Sequence, residues 1–280
     1  MNGFGGKWTE EKIEVFIKYA RAYLTVMKDR PYFKLLYFDG FAGSGVIDPT
    51  DDGDPYELIE GVAKRILDIT EPRAFDTYYF VEKNKNNADR LRELIKVKYP
   101  NKPQAGVVHG DCNVKLIDLA AYMRRDENKK VRSLAFLDPY GMQLSWNSLL
   151  SLRELPVDTW ILVPTAIGVG RLLRRDGVIE PALMDRLKDF LGMEEVEIMN
   201  HFYQRKTTPT LFGPEETVNK IPDVTERIAA LYTDRILQAG IFKYASKPRI
   251  LKNSIGLPMY HFVLYTNKES GLRIADTIKT

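Results

Sequence analysis

Strand-like and helix-like segments alternate along the first 163 residues of this chain, and this alternation restricts its fold more than any single motif. Short apolar stretches, several of them apolar throughout, predict a buried strand at Phe33–Phe38 and further strands at Thr77–Val81, Ala105–His109, Leu134–Leu137 and Asp158–Val163. Apolar residues at helical spacing predict helices over about residues 9–28, Pro55–Ile69, Asn84–Val97, Val114–Arg125 and Trp146–Leu152. Strands that alternate with helices form a parallel sheet covered on both faces, and right-handed crossovers make the sheet doubly wound. The sequence therefore predicts an α/β fold with a mostly parallel, doubly wound sheet.

The pattern changes after Pro164. Residues 171–240 are mostly helical in pattern, with a Thr/Pro/Gly-rich interruption at Lys206–Pro214. Two further strands, Phe242–Leu251 and Leu257–Thr266, then predict an antiparallel hairpin, and a last helix is predicted at Ser270–Ile278. No internal repeat, low-complexity tract or clear linker interrupts the chain. We expect a single domain over residues 1–280, with a helical insertion at about 171–240.

Composition narrows the class of protein. Cys112 is the one cysteine among 280 residues, which excludes an intramolecular disulfide and a zinc or iron–sulfur site built from cysteines of this chain. The three histidines are scattered, so no metal site is predicted. No apolar run reaches about 18 residues and the N-terminus lacks the apolar core of a secretory signal, so we expect a cytoplasmic protein without a membrane span. The net charge of +3 permits a nucleic-acid partner without requiring one.

A glycine-rich turn, Asp39-Gly40-Phe41-Ala42-Gly43-Ser44-Gly45, directly follows the first predicted strand. Its glycines allow a sharp turn and let a ligand approach the backbone. Ligands of open α/β sheets bind outside the carboxyl ends of the strands, where this turn falls. The spacing fits neither a dinucleotide fingerprint nor a P-loop, and a bare Gly-x-Gly is as often a structural turn. Together with the acidic residue, the turn predicts cofactor-binding residues at Asp39, Phe41, Ala42, Gly43, Ser44 and Gly45.

Acidic residues also follow the second and third predicted strands. Glu82 can accept hydrogen bonds from both hydroxyls of a ribose, or can stabilise the N-terminus of the helix that begins near Asn84. Asp111 can accept a hydrogen bond from the exocyclic amine of an adenine, and can also cap the helix that begins near Val114. Cys112 is predicted to be a cofactor-binding residue, as a small buried side chain rather than as a nucleophile.

The fourth predicted strand is followed by Asp138-Pro139-Tyr140-Gly141. A carboxylate, a rigid proline and an aromatic ring at a strand end form a candidate base pocket. There Asp138 would accept a hydrogen bond from an amino nitrogen that attacks a sulfonium methyl group, while Tyr140 stacks on the base. An ordinary turn also suits Asp-Pro and Tyr-Gly. Such segments at the ends of four successive strands favour one cofactor pocket over four unrelated turns.

These motifs resemble those of class I S-adenosylmethionine-dependent methyltransferases. Asp39–Gly45 resembles their first motif, in the form common in DNA and RNA base methyltransferases. The resemblance implies that Glu82 and Asp111 bind the ribose and adenine of S-adenosylmethionine. Asp138-Pro139-Tyr140 is similar to the Asp-Pro-Pro-Tyr motif of amino-methyltransferases but lacks its second proline. It implies that these three residues are catalytic, with Asp138 as the acceptor of the amine.

A closer resemblance covers nearly the whole chain, which is similar to the three-Cys-motif partner protein (TcmP) family. The matching stretches are Trp8-Thr9-x-x-Lys12, the Phe41-Ala42-Gly43 loop, Gly110-Asp111-x-Asn113, Phe136–Gly141 with Trp146, and Tyr260–Leu264. This resemblance implies a Rossmann-like class I methyltransferase fold. It also implies an association with radical-S-adenosylmethionine proteins that carry an iron–sulfur cluster on a three-cysteine motif. No settled substrate accompanies the family.

Substrate contacts are predicted at Tyr140, Trp146 and Arg171. Arg171 belongs to the stretch Gly168–Arg175, whose three arginines follow the fifth predicted strand and can face nucleic-acid phosphates. The alternative for this stretch is a solvated helix face.

The sequence thus favours transfer of a methyl group from S-adenosylmethionine to a nitrogen of a DNA or RNA base. The missing second proline motivates an alternative, a non-catalytic partner that binds S-adenosylmethionine or nucleic acid and positions substrate for a radical-S-adenosylmethionine enzyme. A protein or small-molecule substrate, the oligomeric state and the role of residues 171–240 are left open.

Overall fold

The computed structural model describes residues 7–47, 59–102, 104–211 and 213–278. Within these ranges the strands are β1 (Lys34–Asp39), β2 (Val46–Ile47), β3 (Ile59–Glu60), β4 (Thr77–Glu82), β5 (Ala105–His109), β6 (Val131–Leu137), β7 (Val157–Val163), β8 (Tyr203–Thr210), β9 (Gly213–Lys220), β10 (Tyr244–Ala245), β11 (Arg249–Lys252) and β12 (Pro258–Thr266). The helices are α1 (Lys7–Lys28), α2 (Val62–Leu67), α3 (Lys85–Lys98), α4 (Cys112–Arg124), α5 (Trp146–Leu150), α6 (Pro181–Leu191), α7 (Glu195–Phe202), α8 (Val224–Gln238) and α9 (Glu269–Thr277), with a π-helical turn at Thr165–Gly170.

A central eight-stranded sheet organises the chain, with strand order β5–β4–β1–β6–β7–β12–β10 and with β11 also paired to β12. The first five strands in this order are parallel, and Phe38 of β1 lies opposite Tyr79 of β4 on one side and Ala135 of β6 on the other. Strand β12 is antiparallel to β7 and to the two short strands at its other edge. The chain runs from the middle of the sheet to one edge and then fills the other half. The predicted α/β fold with a mostly parallel, doubly wound sheet is confirmed.

A hydrophobic core lies on each face of the sheet, because successive residues of a strand point to opposite faces. Leu36 and Phe38 of β1 pack into the core beneath α4, α5, α6, α7 and α8. Leu35 and Tyr37 pack into the other core, beneath α1, α2, α3 and α9. Five of the six residues of β1 are buried, so this strand is covered on both faces. Among the described helices, none is long and apolar enough to cross a membrane.

The helix predicted at Pro55–Ile69 is shorter than its pattern indicates. Residues 48–58 lie outside the described residues, and Ile59–Glu60 forms strand β3, which pairs with Val46–Ile47. The helix begins only at Val62. The prediction was wrong over residues 59–61 because pairing with a distant strand overrides a local helical preference.

Helices α6, α7 and α8 make up about half of the insertion at 171–240. It contains a long hairpin in which β8 and β9 pair from Tyr203 opposite Lys220 to Thr210 opposite Gly213. The predicted interruption at Lys206–Pro214 is therefore the tip of this hairpin. The threonines of β8 and β9 are β-branched and favour strands, which the helical interpretation underrated. Helices α6, α7 and α8 surround the hairpin in sequence.

The C-terminal antiparallel hairpin is confirmed, but its first strand is broken. The predicted strand Phe242–Leu251 consists of β10 and β11, separated by residues 246–248. Pro248 has no N–H to donate to the sheet. Ser246 bridges the gap, because its Oγ accepts the N–H of Leu264 in β12 at 3.0 Å.

Gly192 provides a test of the packing between the end of α6 in the insertion and Trp146 of α5. It ends α6 with a φ of 62°, and a Cβ there would lie 2.4 Å from the indole ring of Trp146. We expect Gly192→Ala to lower the free energy of unfolding by about 2–5 kcal/mol, since left-handed backbone strain costs roughly 1–2 and overpacking about 1–3 kcal/mol.

Gly240→Ala is the matched control, because Gly240 has a φ of 66° but open space where its Cβ would be. This variant should lower the free energy of unfolding only by the cost of the left-handed backbone strain, about 1–2 kcal/mol. Urea denaturation measures both variants, and equal losses would contradict the packing argument.

Candidate functional site

A cavity of about 230 Å³ opens at the carboxyl ends of β1 and β6, the neighbouring strands between which the winding direction changes. Such a switch point is where ligands of open α/β sheets bind. The walls come from the start of α1, the loops after β1 and β6, the start of α2, and strand β12. The predicted residues that line the cavity are Asp39, Phe41, Ala42, Gly43, Ser44, Gly45, Asp138, Pro139 and Tyr140.

The loop after β1 is held against its neighbour β4. The N–H of Ala42 donates to the carbonyl of Val81 at 2.9 Å, which continues the parallel pairing beyond the end of the strand. Gly43 and Gly45 have φ values of 63° and 78°, a conformation that favours glycine over residues with a Cβ. The predicted sharp turn is therefore present, and it brings main-chain atoms to the cavity wall.

Asp39 is the last residue of β1 and is 1% exposed. Its Oδ1 accepts the N–H of Phe41, and its Oδ2 accepts the hydroxyl of Tyr37, each at 3.1 Å. Burial raises the pKa of this carboxyl to about 7, because the loss of water outweighs the two hydrogen bonds; nearby Asp138 and Glu82 raise the pKa further. A positive charge in the cavity would favour the ionised form. The site is therefore suited to a cationic ligand.

Helix α1 brings an ammonium group to Asp138. The Nζ of Lys12 lies 2.5 Å from Oδ2 of Asp138, and the two side chains are 5% and 26% exposed. The same Nζ lies 5.2 Å from the ring centroid of Trp8, and Trp8 stacks on Tyr260 with centroids 5.2 Å apart. These contacts join α1, the loop after β6 and β12 around one charged pair.

Lys12, Trp8 and Tyr260 were not among the predicted site residues. Trp8 and Lys12 are four residues apart, so a helix places them on one face. Both also belong to the Trp-Thr-x-x-Lys stretch of the family resemblance, as Tyr260 does to its last stretch. That spacing was the available signal, but it could not indicate which part of the sheet this face of α1 meets.

Glu82 lies beside the loop rather than in the cavity wall. Its Oε2 accepts the N–H of Gly43 at 2.8 Å, and its Oε1 accepts the N–H of Asn84 at 2.6 Å. Both alternatives from the sequence thus have a structural counterpart, because the carboxylate touches the glycine-rich loop and also the start of α3. Its predicted contact with a ribose stays a prediction.

Asp111 and Cys112 lie at the end of β5, next to this loop but outside the cavity. Asp111 caps α4, and its Oδ1 accepts the N–H of Asn113 at 2.9 Å, so the capping role is confirmed. Although partial burial raises its pKa, Lys83 at 3.0 Å and the bond from Asn113 outweigh it and hold the pKa below the usual value. Burial raises the pKa of the Cys112 thiol, which keeps it protonated. The predicted contact of Asp111 with an adenine, and that of Cys112 with the cofactor, stay predictions.

Two of the three predicted substrate residues lie at or near the cavity. Tyr140 lines it and is 61% exposed. Arg171 is exposed just after the π-helical turn. Burial raises the pKa of Tyr260 to about 12, and the charge of Arg171 opposes that rise, so this charge acts close to the cavity wall.

Trp146 is not at the cavity. It is buried at the start of α5, where its ring lies 6.3 Å from that of Tyr232 and where the guanidinium of Arg235 lies 5.5 Å from its centroid. The side chain fills the core between α5, α6 and α8, so the prediction of Trp146 as a substrate contact is corrected to a packing role. Over the described ranges, no three His, Cys, Asp or Glu side chains are grouped so as to hold a metal ion.

Comparisons with known proteins give likeness in fold alone. No protein-family model matches the chain, and a search of curated proteins finds no match. Trm1 from Pyrococcus horikoshii, solved in complex with S-adenosyl-L-methionine, is 9% identical with a TM-score of 0.45, over 98% of this chain and 58% of that one. The DszA carbon methyltransferase is 11% identical with a TM-score of 0.42, over 99% of this chain and 57% of that one. Protein LPL1258 from Legionella pneumophila is 14% identical with a TM-score of 0.42, over 85% and 95%. These values are too low to assign a ligand or an activity to this chain.

Asp39 makes the stability of the fold depend on pH. Its pKa is raised from 3.8 to about 7, so between these values the folded chain holds a proton that the unfolded chain releases. The stabilisation is therefore present at low pH and is lost as the pH rises through about 7. Asn does not titrate, so we expect the stability of Asp39→Asn relative to the natural chain to increase by about 2–3 kcal/mol between pH 5 and pH 8, at about 1.4 kcal/mol per pH unit.

Urea denaturation at both pH values measures this difference. Asp185→Asn is the control, because Asp185 is exposed on α6 and should give the same small effect at either pH. If the difference in free energy of unfolding between Asp39→Asn and the natural chain does not change with pH, Asp39 is ionised throughout this range and the prediction is wrong.

Proposed function

We propose that this chain is an S-adenosylmethionine-dependent methyltransferase that modifies a nitrogen of a DNA or RNA base. The observation that carries the proposal is the meeting of two elements in one cavity. The glycine-rich loop after β1 and the Asp138-Pro139-Tyr140 segment after β6 both line it. The first suits the cofactor, and the second suits the amine that receives the methyl group.

The residues around the cavity fit S-adenosylmethionine in charge and in arrangement. The cofactor carries a sulfonium, an ammonium and a carboxylate group, and the cavity offers Asp39, Asp138 and Lys12. At about 230 Å³ the cavity is smaller than the roughly 300–1,000 Å³ of most ligand pockets. The nucleoside part must therefore extend beyond it. Glu82 and Asp111, at the ends of β4 and β5, supply acceptors on that side.

When bound, S-adenosylmethionine supplies a methyl group on a positively charged sulfur. The chain contributes an acceptor for the attacking amine, since Asp138 is fixed by Lys12 through Oδ2 and its Oδ1 accepts no hydrogen bond from the described residues. A hydrogen bond to Oδ1 would orient the amine and stabilise the positive charge that develops on nitrogen. The ring of Tyr140 lines the cavity and is 61% exposed, and in this proposal it stacks on the base.

Positive charge near the mouth supports a nucleic-acid substrate. Arg171 and Arg175 are exposed after the π-helical turn, and the charge of Arg171 acts on Tyr260 in the cavity wall. Arginines at such a position can bind backbone phosphates. The resemblance to three-Cys-motif partner proteins supports association with a radical-S-adenosylmethionine protein that holds the iron–sulfur cluster, because this chain has one cysteine.

The Lys12–Asp138 contact favours a second candidate as well. If the pair stays closed when substrate is present, the chain binds cofactor or nucleic acid without transferring the methyl group. It would then position a substrate for the partner enzyme. Methyl transfer by the isolated chain excludes this second role as its main one.

Methyl transfer is tested by incubating the purified chain with S-adenosylmethionine carrying a tritiated methyl group and with DNA and RNA pools. We expect label in one of the two pools. Asp138→Ala should lower the rate of labelling by roughly 100-fold or more, which is typical of the loss of a group that accepts a proton or hydrogen bond in the reaction. Tyr140→Ala should lose about 10-fold or more through the missing stacking on the base.

Asp29→Ala is the control for the loss of a carboxylate, because Asp29 is exposed and directly follows the last residue of α1. Thermal melting shows whether each variant is folded. If the chain binds the cofactor in calorimetry but labels neither nucleic acid, the nucleic-acid function is wrong. If label appears only when a three-cysteine iron–sulfur protein is added, the second candidate is supported.

A further inference from the structure

A lysine buried in a ligand cavity is the least expected feature of this site. The side chain of Lys12 is 5% exposed, although lysine is among the residues most rarely buried. Removing an ammonium and a carboxylate from water usually costs more free energy than a single contact between them contributes. The pair is therefore weak evidence for a stabilising role, and the two groups must be considered as parts of the site.

The charges in the cavity do not balance without a ligand. Among the described residues that line the cavity, Lys12 is the one cation, and it stands against the two carboxyl groups of Asp39 and Asp138. With both carboxyls ionised, the lining carries a net charge of −1. S-adenosylmethionine carries two positive groups and one negative group, a net charge of +1. The complete set of charges is then neutral.

An ammonium group has three N–H donors. The bond to Oδ2 of Asp138 uses one of them. Lys12 can therefore keep Asp138 and donate to a second oxygen anion at the same time. An α-amino acid presents a carboxylate beside an ammonium, and such a group complements a lysine beside an aspartate.

We infer that Lys12 binds the carboxylate of the methionine part of the cofactor, while Asp39 faces its positive groups and Oδ1 of Asp138 is kept for the amine of the substrate. This inference rests on the proposed function for the identity of the ligand. It makes Lys12 a specificity residue that separates S-adenosylmethionine from adenosyl compounds without the carboxylate. Trp8 supports this role, because its ring lies under the ammonium and stacks on Tyr260.

The test compares two ligands that differ only in that carboxylate, S-adenosylmethionine and decarboxylated S-adenosylmethionine. Isothermal titration calorimetry gives the Kd of each for the natural chain and for Lys12→Met, which keeps the apolar stem and removes the charge. We expect the natural chain to prefer S-adenosylmethionine. Lys12→Met should weaken its binding by roughly 10- to 100-fold, the value of a charge-assisted hydrogen bond, and should not weaken the binding of the decarboxylated ligand, which has no carboxylate for Lys12 to hold.

Two further variants keep the test decisive. Lys18→Met removes an exposed lysine of the same helix, whose Nζ lies 3.9 Å from Glu14, and should leave both affinities unchanged. Lys12→Met alone leaves the charge of Asp138 without its partner, which can unfold the chain. Lys12→Met combined with Asp138→Asn removes both charges of the pair and avoids this cost. This double variant should also lose the preference between the two ligands.

Equal weakening of both ligands by Lys12→Met, or no weakening of either, overturns the inference. The proposed function fails separately. If the preference disappears in the variants as expected but no nucleic acid is labelled, only the methyltransferase function on nucleic acid is wrong. If the natural chain binds neither ligand, both are wrong.

Discussion

The site depends on the parallel pairing of β1 with β4 and β6 at the same time. Parallel strands that share a register end at the same edge, so this pairing places the loops after β1, β4 and β6 side by side. Main-chain bonds continue the pairing beyond the strand ends, because the N–H of Gly40 donates to the carbonyl of Phe136 and that of Ala42 to the carbonyl of Val81. The loop conformation is therefore a consequence of the sheet.

Burial of β1 on both faces also explains the electrostatics of the cavity. A strand at the centre of the sheet ends in an interior that excludes water, and Asp39 is its last residue. The raised pKa of this carboxyl follows from that position. The Lys12–Asp138 pair lies against the same interior. A charged ligand that enters the cavity therefore interacts strongly with Asp39, Lys12 and Asp138, because little water screens these charges.

The sequence was sufficient for features that rest on local pattern. The strands from Phe33–Phe38 to Asp158–Val163 and the turn at Asp39–Gly45 were predictable, because apolar runs and glycines act through local sequence. The Lys12–Asp138 contact joins residues that are 126 positions apart. Neither residue carries a local sign of the other, and only the docking of α1 onto the sheet brings them together.

Two wrong expectations have the same physical origin. Trp146 follows the Asp-Pro-Tyr segment closely in sequence, but the start of α5 turns its ring into the core against Tyr232. The hairpin of β8 and β9 was interpreted as part of a helical region because its strands gain their stability from each other. In both cases a contact distant in sequence decided the outcome, which a pattern within one window does not contain.

The site is enclosed at one end and open at the other. Exposure rises from 5% at the Lys12 side chain, through 26% at Asp138, to 61% at Tyr140. An enclosed charged end suits a small zwitterionic cofactor, because fixed charges act most strongly where water is excluded. An open aromatic end suits a substrate too large to enter, from which a single base can reach the cavity. Under the proposed function, this gradient in exposure is the reason to expect a polymeric substrate rather than a small one.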